Sequence, residues 1–351
     1  MTKKRRKTRL VKIGNVKIGA GNPVSIQSMA KTRTQDVRKT IDEIKRLQDA
    51  GCQIARVAVK EREDASALGE IKKGIRIPLV ADIHFDHRLA LASIDQRVDA
   101  VRLNPGNVYK EAQVKEVAQK AKKAKIPIRI GVNSGSLRMK RRGLSEDALM
   151  VKSASDYIKH FEESGFYDII ISLKSADVSS TISAYRKMAA ACDYPLHLGV
   201  TATGIQEDGI IKSAIGIGSL LSEGIGDTIR VSLTAEAVFE VEVAKSILQS
   251  LGLGCFGPEV ISCPTCGRCQ VDIEGIVKDL KYRLQTSDFR LQTKKPVKIA
   301  VMGCEVNGPG EAREAHIGVA AGKKSGILFR KGKIVKRVRE RNFAKEILKN
   351  I

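Results

Sequence analysis

Tryptophan is absent from this chain and aromatic residues make up only 4% of it. The core therefore has to be aliphatic, and nucleic-acid binding by stacking of bases on aromatic rings has little to work with. No apolar run approaches the ~18–20 residues that cross a bilayer. The basic start, Met1 to Arg9, leads into no apolar stretch and does not read as a secretory signal. The expected setting is a reducing cytoplasm without membrane attachment, in which clustered cysteines mean a metal site rather than disulfides. Acidic residues are also scarce, 39 against 62 Lys and Arg, which leaves a formal charge of +23.

That charge speaks to partners rather than to fold. Three classes fit it: nucleic acid, a phosphate-bearing substrate, or an acidic electron-carrier protein. The runs Lys3–Arg9, Arg138–Arg142 and Lys331–Arg341 are read as solvated surface.

With 351 residues and 42% hydrophobic side chains, the chain has material for two domains or for one large barrel with an appendage. Between residues 24 and 252, short β-branched runs alternate with amphipathic helical patterns. The expected strands are Val24–Ser28, Ile54–Val59, Leu79–Ile83, Ala100–Asn104, Ile126–Asn133, Asp168–Lys174, Leu196–Thr201 and Thr228–Leu233. Val37–Asp49, with Ile41, Ile44 and Leu47 on one face, and Val238–Leu251, with Val243, Ile247 and Leu251, are examples of the helices between them. Eight such units predict an α/β fold, a (β/α)8 TIM-type barrel over residues 1–252. A doubly wound open sheet is the competing architecture. A small α+β module follows over 253–351, with a helix from Ile273 to Leu284, strands at Val297–Met302, Ile317–Ala320 and Ile327–Phe329, and a closing helix at Phe343–Leu348.

In such barrels the chemistry sits at the C-terminal ends of the strands. The predicted strands and their ends carry Arg56, Asp82, His84, Arg102, Asn104, Arg129, Asn133, Lys174, His197, Arg230 and Ser232. Buried cations are expensive without partners. Each of the five could pair with a core carboxylate, but five together are better explained by convergence on a dianionic ligand, because guanidinium groups chelate phosphate through two points.

Four of the seven cysteines lie in two C-terminal segments, Cys263-Pro264-Thr265-Cys266-Gly267-Arg268-Cys269 and Met302-Gly303-Cys304 with the Glu305–Glu311 stretch after it. A short loop of close thiols plus a distant one fits a metal centre. The spacing leaves three options: a closed zinc site of Cys263, Cys266, Cys269 and Cys304, an iron–sulfur cluster on the same four thiolates, or a cluster on three thiolates and one harder ligand. Cys52, Cys192 and Cys255 are read as ordinary buried thiols.

The segments CPTCGRC and MGCEVNGPGEA, with ADIHF, VRLNPGN, IRIGVNSGS, GIIKSAIGIG and DTIRVSLT, resemble the 4-hydroxy-3-methylbut-2-enyl diphosphate synthases of the compact two-domain bacterial type. The resemblance runs from about Val11 to the C-terminus, with the motifs in order. It implies a barrel followed by a [4Fe–4S] domain, working as a head-to-tail homodimer in which one subunit's cluster covers the other's barrel mouth. It implies reductive ring opening and dehydroxylation of 2-C-methyl-D-erythritol 2,4-cyclodiphosphate, with electrons from reduced flavodoxin or ferredoxin. The implied cluster ligands are Cys263, Cys266, Cys304 and Glu311, with Cys269 outside the set. Substrate binding falls to Arg56, Arg102, Asn104, Arg129, Asn133, Lys174, Arg230 and Ser232, and Asp82 and His84, with Glu311, take catalytic roles. Asp82 and His84 admit a plainer reading, a structural Asp–His hydrogen bond.

One position departs from the family. Its usual Thr-Glu-Ala-Gly on the seventh strand is Thr201-Ala202-Thr203-Gly204 here. A member of reduced activity is therefore one alternative, with Glu207 or Asp208 as substitutes for the missing carboxylate. A zinc-stabilised basic nucleic-acid-binding protein is the other.

Overall fold

The computed structural model describes residues 4–137, 143–201, 203–286, 297–304, 310, 312, 313 and 315–351. The chain divides into two compact units, Met1–Gly254 and Cys255–Ile351.

The first unit opens with a hairpin, β1 (Val11–Ile13) and β2 (Val16–Ile18), turned by Gly14 and Asn15 with Gly14 at φ +54°. Gly-Asn between two short apolar runs is a tight-turn signal, but the runs are three residues long and the expected strands began only at Val24. Eight parallel strands follow: β3 (Ser25–Met29), β4 (Ile54–Val59), β5 (Leu79–Ile83), β6 (Ala100–Leu103), β7 (Ile128–Asn133), β8 (Ile169–Lys174), β9 (His197–Leu198) and β10 (Thr228–Ile229). They run in the order β8-β7-β6-β5-β4-β3-β10-β9, and a parallel bridge between Ile171 and Leu196 joins the two ends. This is the barrel, not the open sheet.

The crossovers are α1 (Val37–Asp49), α2 (Arg62–Gly74), α3 (His87–Asp95), α4 (Glu111–Ala124), α5 (Glu146–Glu163), α6 (Val178–Ala191), α7 (Gln206–Ser222) and α8 (Ala237–Ser250). Each buries one stripe. In α1, Ile44 and Leu47 face the sheet, and Asp36 caps the first turn by accepting from the Lys39 N–H. β9 and β10 are shorter than expected because the pairing becomes irregular beyond Leu198 and Ile229, where Thr201 N donates to Ser175 O and Thr203 Oγ1 takes up Ser232 O.

The N-terminal end of the barrel is sealed. Val11, Ile13 and Ile18 of the hairpin pack on Ile54, Val80, Ala100 and Ile170, the first inward layer of four strands. The residues before the hairpin correct the expectation of a solvated basic run. The Arg6 guanidinium donates to the carbonyls of Ala189, Cys192 and Tyr194, and Arg5 reaches Asn22 O, Gly226 O and the Asp227 carboxylate. A guanidinium has five donors in a fixed fork, which suits it to strapping several carbonyls at once.

The second unit is a five-stranded sheet in the order β11 (Glu259–Ser262), β12 (Lys298–Met302), β13 (Ile317–Gly322), β14 (Ser325–Arg330), β15 (Lys333–Arg339). β11 to β13 are parallel and β13 to β15 antiparallel. With α9 (Ile273–Thr286) and α10 (Phe343–Lys349) it builds a core from Leu280, Ile299, Val301, Ile317, Val319, Leu328, Phe343 and Ile347. A smaller cluster of Ala300, Met302, Ala312, Ala315, Ala320 and Phe329 is separate from it. β11 and β15 were not expected. β11 has only four residues, and β15 reads Lys-Ile-Val-Lys-Arg-Val-Arg with a single buried side chain, Val338, so its charge masked its pairing.

Candidate active site

Side chains alternate along a strand, so the residues two beyond the floor layer also face the barrel interior. From Ile54, Val80, Ala100 and Ile170 this brings in Arg56, Asp82, Arg102 and Ser172. Arg56, Arg102, Arg129 and Lys174 are all at most 7% exposed, and Asp82 is 4% exposed. Arg230 is somewhat more open.

Asp82 accepts from Arg102 Nη1 at 3.1 Å and lies 3.6 Å from Arg56 Nε. The other end of Arg102 donates to Gly131 O at 2.8 Å. Arg129 donates to the Gln27 side-chain carbonyl, and its Nε and Nη2 have no partner among the described residues. Arg230 stands 3.7 Å from the Glu240 carboxylate. Lys174 has no ion-pair partner among the described residues. Five basic side chains thus share two carboxylates, three more than those acids can pair, in a largely dry interior. The plain reading, one carboxylate for each cation, does not hold.

The electrostatics follow from burial. Desolvation pushes Arg56 well below its ordinary pKa, Asp82 opposes that shift, and Arg230, Arg129 and Arg102 add to it. Arg129 is pushed down by burial to about 9, which leaves it charged at neutral pH. Lys174 is driven well below the usual lysine range by burial and by the four arginines. Burial alone would raise the Asp82 pKa, but Arg102, Arg56 and Arg129 hold it well below the carboxylate range. His197, fully buried, is pushed well down by desolvation and then by Arg129 and Lys174, and is neutral.

Gly131 makes room for this arrangement. A Cβ there would lie 2.2 Å from Arg102 Nε and 2.9 Å from its Cζ, in the middle of the guanidinium rather than at its tip. Gly131→Ala is expected to tilt Arg102 off Asp82 and to weaken binding of a phosphate ligand about tenfold, roughly 1.4 kcal/mol, with the fold retained. Isothermal titration of the cyclic diphosphate measures it.

Asp82 turns to the arginines, and among the described residues no hydrogen bond joins it to His84. His84 is half-buried with Nδ1 unpartnered. Asn104 is buried and spent on its own loop, donating to Ser136 Oγ at 2.9 Å and accepting from Gly106 N at 3.0 Å. Asn133, the last residue of β7, and Ser232, three residues beyond β10, are half-buried. Ala202 and Glu311 lie outside the described residues, as do Arg138–Arg142 and Glu305–Pro309.

Two contributors were not read from the sequence. Gln27 on β3 holds Arg129. Glu240 on α8 is 2% exposed and meets Lys31 Nζ at 3.0 Å, Leu233 N at 3.0 Å and Ser28 Oγ at 3.4 Å as well as Arg230. Its signal was present: Glu240 lies three residues before Val243, on the apolar stripe of its helix, where an acid needs a buried partner.

In the second unit, Cys263 follows β11 and Cys304 follows β12, neighbouring parallel strands, so both thiols leave the same end of the sheet. Gly303 lies between them. Its N–H donates to Cys263 Sγ at 3.2 Å, and a Cβ at this position would fall 2.5 Å from Cys269 Sγ and 3.3 Å from Cys263 Sγ. Cys269 is therefore drawn beside Cys263, where its Sγ also contacts Val271 O at 3.2 Å, and Cys266 is exposed on the loop between them. Among the described residues, Glu111, His160 and Glu163 form the one His/Cys/Asp/Glu group of three or more with all donor atoms within 4.8 Å, so no three of the described thiols stand that close together. A sulfur-rich donor set on rigid strand ends, with a backbone N–H given to sulfur, suits an iron–sulfur cluster. Of the other thiols Cys52 is buried, and, contrary to expectation, Cys192 is only half-buried and Cys255 is exposed, since it opens the second unit in the segment before β11.

A β/α barrel with an excess of buried guanidinium groups, followed by a thiol-bearing α+β module, marks an iron–sulfur oxidoreductase built on a barrel. The comparisons narrow this further. The model of the GcpE TIM-barrel domain matches residues 8–245 and that of the GcpE protein C-terminal domain matches residues 259–351, so the chain belongs to the GcpE family. Its relatives include proteins named 4-hydroxy-3-methylbut-2-en-1-yl diphosphate synthase (flavodoxin). The one from Caldanaerobacter subterraneus is 53% identical, with 100% of this chain and 98% of the relative covered. Those from Thermodesulfovibrio yellowstonii and Clostridium perfringens are 52% and 51% identical over 99% of both chains. Among solved structures, a sialic acid synthetase from Leptospira borgpetersenii aligns with a TM-score of 0.51 at 13% identity, covering 80% of this chain and 99% of its own. A Xanthomonas albilineans dihydropteroate synthase aligns at 0.50 and 10%, covering 70% and 99%. These two likenesses speak for the barrel alone.

Proposed function

We propose that the protein catalyses the reductive opening of 2-C-methyl-D-erythritol 2,4-cyclodiphosphate to 4-hydroxy-3-methylbut-2-enyl diphosphate, the step its relatives are named for in the methylerythritol phosphate route to isoprenoids. The observation that carries this reading is the surplus of three basic side chains over carboxylates in the barrel interior, which a cyclic diphosphate would partner. Arg56, Arg102, Arg129, Lys174 and Arg230 bind the two phosphates, Asn133 and Ser232 line the approach, and Asn104 serves binding by holding its loop in place. Asp82, locked between two guanidinium groups and ionised at any working pH, orients Arg56 and Arg102. His84, with a free ring nitrogen, is the better candidate to hold or move a proton.

Cys263, Cys266, Cys304 and, on the resemblance alone, Glu311 would hold a [4Fe–4S] cluster, which when bound supplies electrons one at a time and a Lewis-acidic iron. An oxygen donor at the fourth position binds iron more weakly than thiolate and can give way. The reaction takes up two electrons and protons and releases water. Reduced flavodoxin is the proposed donor, ferredoxin the alternative, and a cytoplasmic homodimer the proposed form. Among the described residues no helix is long and apolar enough to cross a membrane. Anaerobically reconstituted protein should be brown and should convert the cyclic diphosphate when given a strong reductant. Colourless, zinc-bound protein with no conversion would contradict the reading.

Lys174 gives a pH signature. Its pKa is depressed in the free protein, and a bound dianion raises it, so binding takes up a proton. Affinity must then fall as pH rises between the two values, by up to about tenfold per pH unit. Titration calorimetry in buffers of different ionisation enthalpy reads the uptake directly, and Lys174→Met should abolish it.

A further inference from the structure

The edge of the second unit carries a feature that the proposed reaction does not use. From residue 323 to 341 the chain has nine Lys and Arg against one acid, Glu340. The segment covers the β13–β14 turn, the β14–β15 turn and β15, the outermost strand of the sheet. Six of the seven β15 side chains are exposed, among them Ile334 at 74% and Val335 at 45%.

Charged residues on an edge strand often serve only to block edge-to-edge pairing. One or two suffice for that, and they would not be set around two bare aliphatic side chains. An apolar centre with a cationic surround is the form of a transient protein-docking site.

Resting on the reaction proposed above, we propose that this edge, centred on β15, is where the acidic electron-carrier protein docks. Charge complementarity selects the occupant: flavodoxin-type carriers are acidic, and steering by opposite charge is what a brief encounter for electron transfer needs. Position supports it. Lys323 and Lys324 follow β13 at the end of the sheet where Cys263 and Cys304 follow β11 and β12, and Arg339 pairs with Ser325 at that same end. Three interstrand spacings separate β12 from β15, about 14 Å. Each encounter passes one electron from the carrier's flavin, oxidising it by one electron, and two encounters supply the two that the ring opening consumes.

The test is the triple variant Lys323→Glu, Lys333→Glu, Arg337→Glu in the reconstituted holoenzyme. All three residues are exposed, and the glutamates keep the edge charged against aggregation. The dissociation constant for a purified oxidised bacterial flavodoxin at low salt should rise at least about tenfold, and the salt dependence of binding should flatten. The KM for reduced flavodoxin should rise in parallel, with turnover driven by dithionite-reduced methyl viologen within about twofold of the parent. Unchanged flavodoxin affinity, or an equal fall with both donors, overturns the proposal. So does salt-sensitive binding of an oligonucleotide to the parent, lost in the variant, with no flavodoxin binding. The binding measurement requires no turnover, so a failure of the reaction reading would be seen separately.

Discussion

Cys263→Ser is expected to bleach the reconstituted protein and to cut turnover at least about 10³-fold, some 4 kcal/mol on the barrier. Cys263 is the thiol most firmly placed by its surroundings. It directly follows β11, its N–H is bonded to Val301 O at 3.3 Å, and its sulfur receives the Gly303 N–H. Serine keeps the size but offers a poor ligand for iron. Far-ultraviolet circular dichroism should change little, because Cys263 packs only at the margin of the sheet core of Ile299, Val301, Ile317 and Val319 and serine keeps its size. The same substitution at Cys269 separates the readings of the loop. If Cys263, Cys266 and Cys304 are the thiolate ligands, Cys269→Ser retains colour and most of the activity. If Cys269 is a ligand, it bleaches as Cys263→Ser does. Visible absorption and iron content decide it.

The second large effect is in the barrel. Arg102→Met should raise KM for the cyclic diphosphate about 10²-fold, roughly 2.7 kcal/mol, with a smaller change in kcat. Methionine fills most of the volume, but the substitution removes one of the five cations and frees one oxygen of Asp82. Because Arg56 still neutralises Asp82 at 3.6 Å, the fold should survive. Asp82→Asn is the instructive contrast. It leaves Arg56 and Arg102 buried without their shared carboxylate, and the loss should appear in thermal stability, on the scale of about 3–5 kcal/mol for breaking a buried pair. Tighter anion binding by the folded fraction would accompany it, since the carboxylate no longer competes. Steady-state kinetics and thermal melts of the two variants distinguish a ligand-binding cation from its counter-ion.

The barrel was legible because its strands are apolar on both faces, as parallel strands covered by helices must be, and the cations within them stood out against that background. Ile54–Val59 and Leu79–Ile83 match to the residue. The hairpin that seals the floor escaped notice because two runs of three residues give too little periodicity. β15 escaped because strand pairing there is carried by backbone bonds while the side chains are nearly all charged. Arg5 and Arg6 read as surface since nothing local in a basic run reveals the carbonyls it will meet some 180 to 220 residues away. Glu240 and Gln27 were missed for a related reason. Each is recognisable only when the arginine it serves is seen beside it. The thiol spacing showed that a metal centre was present, but not which of Cys269 and Glu311 completes it.

The most direct test of the account is ³¹P NMR of the cyclic diphosphate incubated anaerobically with the reconstituted protein, given about four iron atoms per chain, and a strong reductant. Conversion of the ring resonances to those of a linear allylic diphosphate is the predicted result. A ring that stays closed while the protein holds its full complement of iron and sulfide would contradict it.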